Sequence, residues 1–307
     1  MWLKENRHHA NILLAEPNHT TKGLTTTSVP LAVAMLARYL EKTVDFPFSF
    51  KMEKTISGVL ELLENDWKPD ILAISQYAWC TQAGLFVAHK TKERFPDCIV
   101  ITGGPDISQS PRGRISYLKA NPWIDFCVEL EGEIPFKTIV KRLLDGEAVR
   151  DIKVSPPDGV FSIHPVDETL SYSNRCSEHP SLDILGTMYA DGFLDNLLDK
   201  NLHPFVLVES GCPFECAFCH VSDQYYSKIR FASLDNLRKD LEYLGDRFKK
   251  KGYIPLYLGS TNFGLWEQDI EIAKVIREVQ EKNDWPRQFS VATVKIPEKI
   301  KKINSIL

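Results

Sequence analysis

The feature that most constrains the fold of this 307-residue chain is an alternation. Along residues 10–147, short apolar runs suited to buried strands are each followed by a segment of helical period. NILLA (11–15) precedes VPLAVAMLARYLEK (29–42), whose Val29, Val33, Leu36 and Leu40 share one helical face. In the same way TVDFPFSF (43–50) precedes KTISGVLELLEN (54–65), DILAIS (70–75) precedes TQAGLFVAHKTKERF (81–95), CIVITGG (98–104) precedes RGRISYLKAN (112–121), and DFCVEL (125–130) precedes GEIPFKTIVKRLLDG (132–146). A strand apolar on both faces must be covered on both faces, and helices that cross over it do this. Five such pairs predict an α/β domain over 10–147: a doubly wound parallel sheet of the Rossmann-like, flavodoxin-like kind.

Ligands of such sheets bind outside the carboxyl ends of the strands. The segments expected there are EPNHTTKG (16–23), SQYAW (75–79), GGPD (103–106) and EGE (131–133). Gly103-Gly104-Pro105 either bares the backbone to a bulky or polyanionic ligand or is a plain turn. Glu131 and Glu133 equally suit the first turn of a helix.

Residues 148–202 change character, with Pro156, Pro157, Pro165 and Pro180, many Ser and Asp, and a single convincing strand, GVFSI (159–163). They are expected to form an irregular linker or subdomain. A second β/α series then occupies 203–307. PFVLVES (204–210) runs into Gly211-Cys212, followed by the helix SLDNLRKDLEYLGDRFKKK (233–251), with Ser233 as N-cap and Lys249 to Lys251 facing its C-terminal dipole. PLYLGS (255–260), WEQDIEIAKVIREVQEKN (266–283) and QFSVATV (288–294) continue the series as strand, helix and strand.

Lys+Arg 37 against Asp+Glu 41 gives a formal charge of −4, which lacks the basic excess of a phosphate-backbone binder, so no nucleic acid partner is expected. The longest apolar stretch, VPLAVAMLARYL, is too short to span a bilayer, and the first residues lack a secretory signal. A cytoplasmic protein without a membrane partner is expected. The seven cysteines are odd in number, which argues against a disulfide framework. Cys80, Cys98 and Cys127 sit in apolar contexts and are expected in the core, whereas Cys176 lies in a polar segment with no assignable role.

Cys212, Cys216 and Cys219 form a Cys-x3-Cys-x2-Cys cluster within ESGCPFECAFCHV. Three thiolates suit either a [4Fe–4S] cluster with one iron left open or a zinc site completed by a fourth ligand, for which His220 is a candidate. Context separates the two. Structural zinc sites commonly draw ligands from two separated pairs, whereas here three cysteines share one loop directly after a buried strand of a β/α series. Such loops hold the active sites of β/α barrels, and an iron left open is available to substrate or cofactor.

The stretch Cys212-Pro213-Phe214-Glu215-Cys216-Ala217-Phe218-Cys219 resembles the signature of the radical S-adenosylmethionine superfamily, including the aromatic residue before the third cysteine. The resemblance implies that the three cysteines ligate a [4Fe–4S] cluster and that S-adenosylmethionine chelates the fourth iron and is cleaved reductively to a 5′-deoxyadenosyl radical. It further implies that Phe218 lies near the adenine, and that Gly259, Ser260 and Thr261 of LGSTNFG (258–264) stand where the family binds the methionine amino group. That stretch departs from the family's Gly-Gly-Glu pattern.

Upstream, Ser75 and Tyr77, then Gly103-Gly104-Pro105, then Glu131-Gly132-Glu133 with Phe136, resemble in order the cobalamin-binding domain that precedes many radical S-adenosylmethionine barrels. Asp-x-His-x-x-Gly, which supplies a lower axial histidine to cobalt in several mutases and in methionine synthase, does not occur, and His19 lacks its spacing. The resemblance therefore implies cobalamin held base-off, without a protein histidine on cobalt. The expected reaction is transfer of a methyl group to an unactivated carbon of a small-molecule substrate, with electrons from a donor such as flavodoxin or ferredoxin. The alternatives are cyclisation or rearrangement, radical chemistry without cobalamin, and a non-catalytic cobalamin- or metal-binding chain. An eight-stranded barrel takes about 250 residues, so residues 203–307 are expected to supply the N-terminal half of one, with the chain stopping in mid-helix at KKINSIL.

Overall fold

The computed structural model describes residues 9–19, 27–65, 67–249 and 253–307. The chain divides into two compact units, Met1–Thr26 with Ala32–Pro180, and Thr27–Leu31 with Ser181–Leu307.

The first unit is built on a seven-stranded sheet. Its strands are β1 (Ala10–Asn18), β2 (Phe48–Thr55), β3 (Ile71–Ser75), β4 (Ile99–Gly103), β5 (Phe126–Val128), β6 (Val160–Ile163) and β7 (Leu170–Tyr172). They lie in the order β2-β1-β3-β4-β5-β6-β7. The first five are parallel, while β6 runs antiparallel to β5 and β7 antiparallel to β6. The strand order reverses between β1 and β3, the switch point at which open α/β sheets take ligands. Helices α1 (Leu31–Thr43), α2 (Ile56–Glu64), α3 (Thr81–Arg94), α4 (Pro111–Ala120) and α5 (Glu133–Leu144) connect the parallel strands or follow β5, and α6 (Val149–Val154) leads into β6.

The reason these residues form these elements is visible at their ends and in their centres. Thr55 accepts from Gly58 N at 3.0 Å and starts α2; Ser110 accepts from Gly113 N at 3.1 Å, with Pro111 behind it, and starts α4. Ile12, Leu13, Leu14, Leu72 and Val100 on the three central strands are fully buried. Each such side chain contributes about 1.5–3 kcal/mol by leaving water, and the centre of the sheet carries the unit.

Two expectations change here. The second strand forms at Phe48–Thr55 rather than 43–50, and it carries buried Lys54 against Glu16 of β1, an ion pair that an apolar-run criterion passes over. Residues 148–180 are not loose: α6, β6 and β7 extend the sheet, and Cys176, 6% exposed, packs inside the same unit. Cys80, Cys98 and Cys127 are buried, with their thiols pushed up by burial to about 11, 12 and 12.

The second unit begins with a 3₁₀ turn (Leu182–Leu185) and a short α7 (Asp195–Asp199). Strands β8 (Phe205–Leu207), β11 (Leu256–Gly259) and β12 (Phe289–Ser290) make a parallel three-stranded sheet in the order β12-β11-β8, and β9 (Glu209–Ser210) pairs antiparallel with β10 (Arg230–Phe231). Helices α8 (Leu234–Phe248) and α9 (Glu267–Asn283) pack together after β10 and β11, and α10 (Pro297–Asn304) follows β12. Ser233 caps α8 by accepting from Asn236 N at 3.4 Å. Lys249 follows that helix, while Lys250 and Lys251 lie outside the described residues, as do residues 20–23 of the first loop. β12 is shorter than 288–294; beyond it Phe263 N and Val294 N continue the pairing irregularly, bonding Ala292 O and Phe263 O. The last helix does not run to the end of the chain: it closes at Asn304, with Ser305 N on Lys301 O. No helix among the described residues is long and apolar enough to cross a membrane.

Buried Asp240 of α8 fastens the start of this unit, accepting from the backbone N–H of Met188, Tyr189 and Ala190 at 2.8–2.9 Å. The Tyr189 hydroxyl bridges onward to Phe205 of β8, donating to its O at 2.8 Å and accepting from its N at 2.9 Å.

Candidate functional site

Two groups of residues stand at strand ends, one in each unit. In the first, Ser75 on β3 pairs in register with Gly103 on β4, and Gly103 with Val128 on β5. Gln76 N donates to Gly103 O at 2.7 Å, and Asp106 N reaches Gln76 O at 3.4 Å. Gly104 has φ +125°, and a Cβ there would stand 2.3 Å from Gln76 O, so this glycine is required by the contact between two turns of the protein itself. The expected opening of bare backbone toward a ligand is thus occupied at Gly104 by Gln76. Pro105 is exposed beyond it.

Tyr77 lies just past β3 and stacks on Trp79, ring centroids 4.7 Å apart and 6° from parallel. Trp79 is 48% exposed, an apolar plate at the switch-point edge of the sheet. Gly132 begins α5 with Leu36 packed against it, and Glu133 is buried in the helix's first turn, a position that suits an acid. Glu131 lies 3.7 Å from His179 Nδ1. Phe136 is buried core rather than surface. His19 is exposed at the end of β1, and its backbone N–H bonds the Asn18 side chain.

In the second unit the three cysteines share the loop that leaves β9. Gly211 has φ +101°, and a Cβ there would stand 2.7 Å from Lys228 O, so the chain leaves the strand through a turn only glycine accommodates. Cys212 N donates to Tyr226 O at 2.8 Å, and Cys219 N to Cys216 O at 2.9 Å. Cys212 and Cys219 are half-buried and Cys216 is exposed; all three are free thiols, unlike the four core cysteines in their burial. Among the described residues no three His, Cys, Asp or Glu side chains converge as a metal-holding set. The loop therefore presents its thiols without gathering them. As a donor set they fit an iron–sulfur cluster: three accessible sulfurs on one backbone loop, with none committed to a disulfide. Phe214 and Phe218 are exposed on the same loop, Phe218 at 94%. His220 is exposed.

The expected cofactor stretch after β11 is held by side chains that composition and spacing do not reveal. Glu209 of β9 is buried, and its Oε1 accepts from Ser260 Oγ at 2.7 Å, Thr261 N at 3.2 Å and Asn262 N at 3.3 Å. Thr261 Oγ1 donates to Gly211 O at 2.9 Å. Asn262 Nδ2 donates to Cys212 Sγ at 3.3 Å, tying this stretch to the first cysteine. Asp269, three residues into α9, accepts from Gly264 N at 2.8 Å and Trp266 N at 2.9 Å. Burial, with Glu209 nearby, pushes its carboxyl up to about 6. Gly259 lies against β8, where a Cβ would come 3.1 Å from Leu207 Cδ1. The structure thus ties Thr261 to Gly211 and Asn262 to Cys212, while Ser260 is held on Glu209, Gly259 lies against Leu207, and Phe218 is exposed. The sequence reading passes over Glu209; a charged residue closing an apolar strand, PFVLVES, is the one signal that could have found it.

No family model matches the chain. Among curated proteins it is 27% identical over 272 residues to the cobalamin-dependent radical SAM methyltransferase TokK of Streptomyces tokunonensis, covering 86% of this chain and 38% of that protein. It is 28% identical over 272 residues to the 2-(S-pantetheinyl)-carbapenam-3-carboxylate methyltransferase of Streptantibioticus cattleyicolor, with the same coverage. The chain therefore spans less than half the length of these relatives. By fold it is similar to the cobalamin-dependent S-adenosylmethionine radical enzyme OxsB solved with aqua-cobalamin and S-adenosylmethionine, at a TM-score of 0.67 and 16% identity, covering 91% of this chain and 38% of that one. It is also similar to the radical S-adenosylmethionine methyltransferase TsrM from Kitasatospora setae, at a TM-score of 0.62 and 14% identity, covering 90% of this chain and 52% of that one. The chain is thus similar in sequence to these methyltransferases and shares the α/β fold of OxsB and TsrM.

Proposed function

We propose that this chain carries the cofactor-binding part of a cobalamin-dependent radical S-adenosylmethionine methyltransferase. The observation that carries the reading is the loop after β9, where three free, accessible thiols are joined through the Asn262–Cys212 hydrogen bond to the loop after β11. Cys212, Cys216 and Cys219 would hold a [4Fe–4S] cluster, with Cys216 drawing in from its exposed position. When bound, that cluster supplies the electron that cleaves S-adenosylmethionine to methionine and a 5′-deoxyadenosyl radical, and cobalamin supplies a methyl carrier.

The protein's own residues would position and enclose these groups. Gly259, Ser260 and Thr261 shape the loop whose Asn262 reaches Cys212. Phe218, nearly bare of contacts, offers a ring face to an adenine, and covering a phenyl side chain of this kind is worth about 1.5–3 kcal/mol. In the first unit, the Tyr77–Trp79 stack is a flat apolar plate that suits a corrin face. Ser75, Gly103, Gly104, Pro105, Glu131, Gly132 and Glu133 border the same strand ends. His19 lacks the spacing of a cobalt ligand, which supports base-off binding without a protein histidine. The parallel strands β8, β11 and β12 with α8, α9 and α10 are the first β/α units of a radical S-adenosylmethionine barrel. The acceptor is a small molecule with an unactivated carbon, and the reductant a flavodoxin- or ferredoxin-like donor.

Anaerobic reconstitution with iron, sulfide and hydroxocobalamin tests the reading. The expected result is bound iron and sulfide, a base-off corrin spectrum, and reductive release of 5′-deoxyadenosine and methionine. A chain that takes up no iron and leaves S-adenosylmethionine intact under reduction contradicts it.

A further inference from the structure

The second unit carries a patch of charge that runs against the composition of the chain. The formal charge is −4, yet KIPEKIKK (295–302), which leads into α10 and fills its first turns, holds four lysines against one glutamate. Lys295, Lys299, Lys301 and Lys302 are all exposed. Lys299 Nζ donates to Leu265 O at 2.6 Å, and Lys302 Nζ stands 3.8 Å from Glu267. The side chains of Lys295 and Lys301 have no hydrogen-bond or ion-pair partner among the described residues.

The apolar side of this segment fixes its place. Val294, Ile300 and Ile303 close on Gly264, where a Cβ would stand 3.4 Å from each. Two residues earlier in the same stretch, Asn262 donates to Cys212 Sγ at 3.3 Å. The basic segment is therefore packed on the stretch that reaches the first cysteine, and Lys299 is hydrogen-bonded to it. A fifth lysine comes from another element: Lys228, exposed and likewise unpaired among the described residues, has its O 2.7 Å from where a Cβ of Gly211 would stand, one residue before Cys212. The exposed carboxylates of these segments are Glu215, Glu267 and Glu298, so the lysines are in excess around the cysteine loop. Like charges gathered on one face repel, and what such a face gains is a faster encounter with a partner of opposite sign.

We propose that Lys228, Lys295, Lys299, Lys301 and Lys302 form the docking surface for an acidic electron-transfer protein that reduces the cluster. This rests on the function proposed above and says where its donor lands. One electron passes, from the flavin hydroquinone of a flavodoxin-like donor to the cluster, which goes from its 2+ to its 1+ state; no bond forms or breaks at the lysines.

The test follows reduction of the cluster in the anaerobically reconstituted chain by two reductants. Flavodoxin hydroquinone is the acidic protein probe, and photoreduced 5-deazaflavin is a small donor that needs no docking. For the wild type, raising salt from about 0.01 M to about 1 M, which shortens the screening length from ~30 to ~3 Å, should slow flavodoxin about tenfold or more and leave deazaflavin unaffected. Lys295→Glu with Lys301→Glu should slow flavodoxin about tenfold at low salt, with iron content and the deazaflavin rate unchanged, and Lys228→Glu should act in the same direction. The same charge change in the first unit, Lys42→Glu with Lys137→Glu, should alter neither rate. Equal slowing by the two pairs would mean that only net charge counts, slowing toward deazaflavin as well that the lysines hold the site and not the donor, and an unchanged flavodoxin rate that the donor lands elsewhere; each overturns the proposal. A wild-type cluster that deazaflavin reduces and flavodoxin does not overturns this inference and leaves the proposed function standing. A chain that takes up no iron removes both.

Discussion

The strand-end loops of the two units are stabilised in opposite ways. In the first unit they are closed by backbone on backbone: Gln76 N on Gly103 O, Asp106 N on Gln76 O, and Gly104 pressed against Gln76 with no room for a side chain. In the second unit the cysteine loop is fixed at its exit by Gly211, while Phe214, Cys216 and Phe218 are exposed. The neighbouring stretch 260–266 is suspended from the buried side chains Glu209 and Asp269. A turn closed by backbone is rigid before any ligand arrives. A stretch hung on buried carboxylates depends instead on side chains that titrate.

The largest effect expected from this contrast is at Gly104. Gly104→Ala forces a non-glycine residue to φ +125° and a Cβ into Gln76 O, and should destabilise the first unit by about 2–4 kcal/mol in a denaturant titration. Gly146→Ala is the control, with φ +87° but nothing within 4 Å, and should cost about 1 kcal/mol. Equal losses would show that strain alone, not the closed turn, is what matters at Gly104.

The second unit should instead respond to pH. The Asp269 carboxyl is raised from 3.8 to about 6, first by burial, so between these values the folded chain binds more protons than the unfolded one. The stability contributed is present below about 4 and is lost as pH rises through about 6. Asp269→Asn, which retains an acceptor for Gly264 N and Trp266 N, should flatten that part of the melting-temperature profile. A variant profile that still falls over this range would place the titration elsewhere.

The smallest effect is at Asn262. Asn262→Ala should leave the iron content unchanged and make the midpoint potential of the reconstituted chain more negative, because an N–H donor on a ligating sulfur favours the reduced cluster. An unaltered potential would mean that the Asn262–Cys212 bond does not persist when the loop is loaded.

These residues also mark what the sequence made readable. The strands that are apolar on both faces, such as 11–15, 70–75 and 98–104, and the spacing of Cys212, Cys216 and Cys219, were legible because each signal is local. The second strand lies downstream of the apolar run 43–50 because it buries Lys54 by pairing it with Glu16, 38 residues away. β7, three residues long, is too short to leave a period, and it exists because β6 offers it an edge. The roles of Glu209 and Asn262 are hidden for the same reason: their partners lie 50 or more residues away, and only the fold brings them together.

The most direct test of the central claim is the iron and sulfide content of the anaerobically reconstituted chain beside the Cys212→Ala, Cys216→Ala and Cys219→Ala triple variant. The account predicts about four iron and four sulfide per wild-type chain and none held by the variant. One equivalent of zinc with no iron in the wild type, or iron retained by the triple variant, would contradict it.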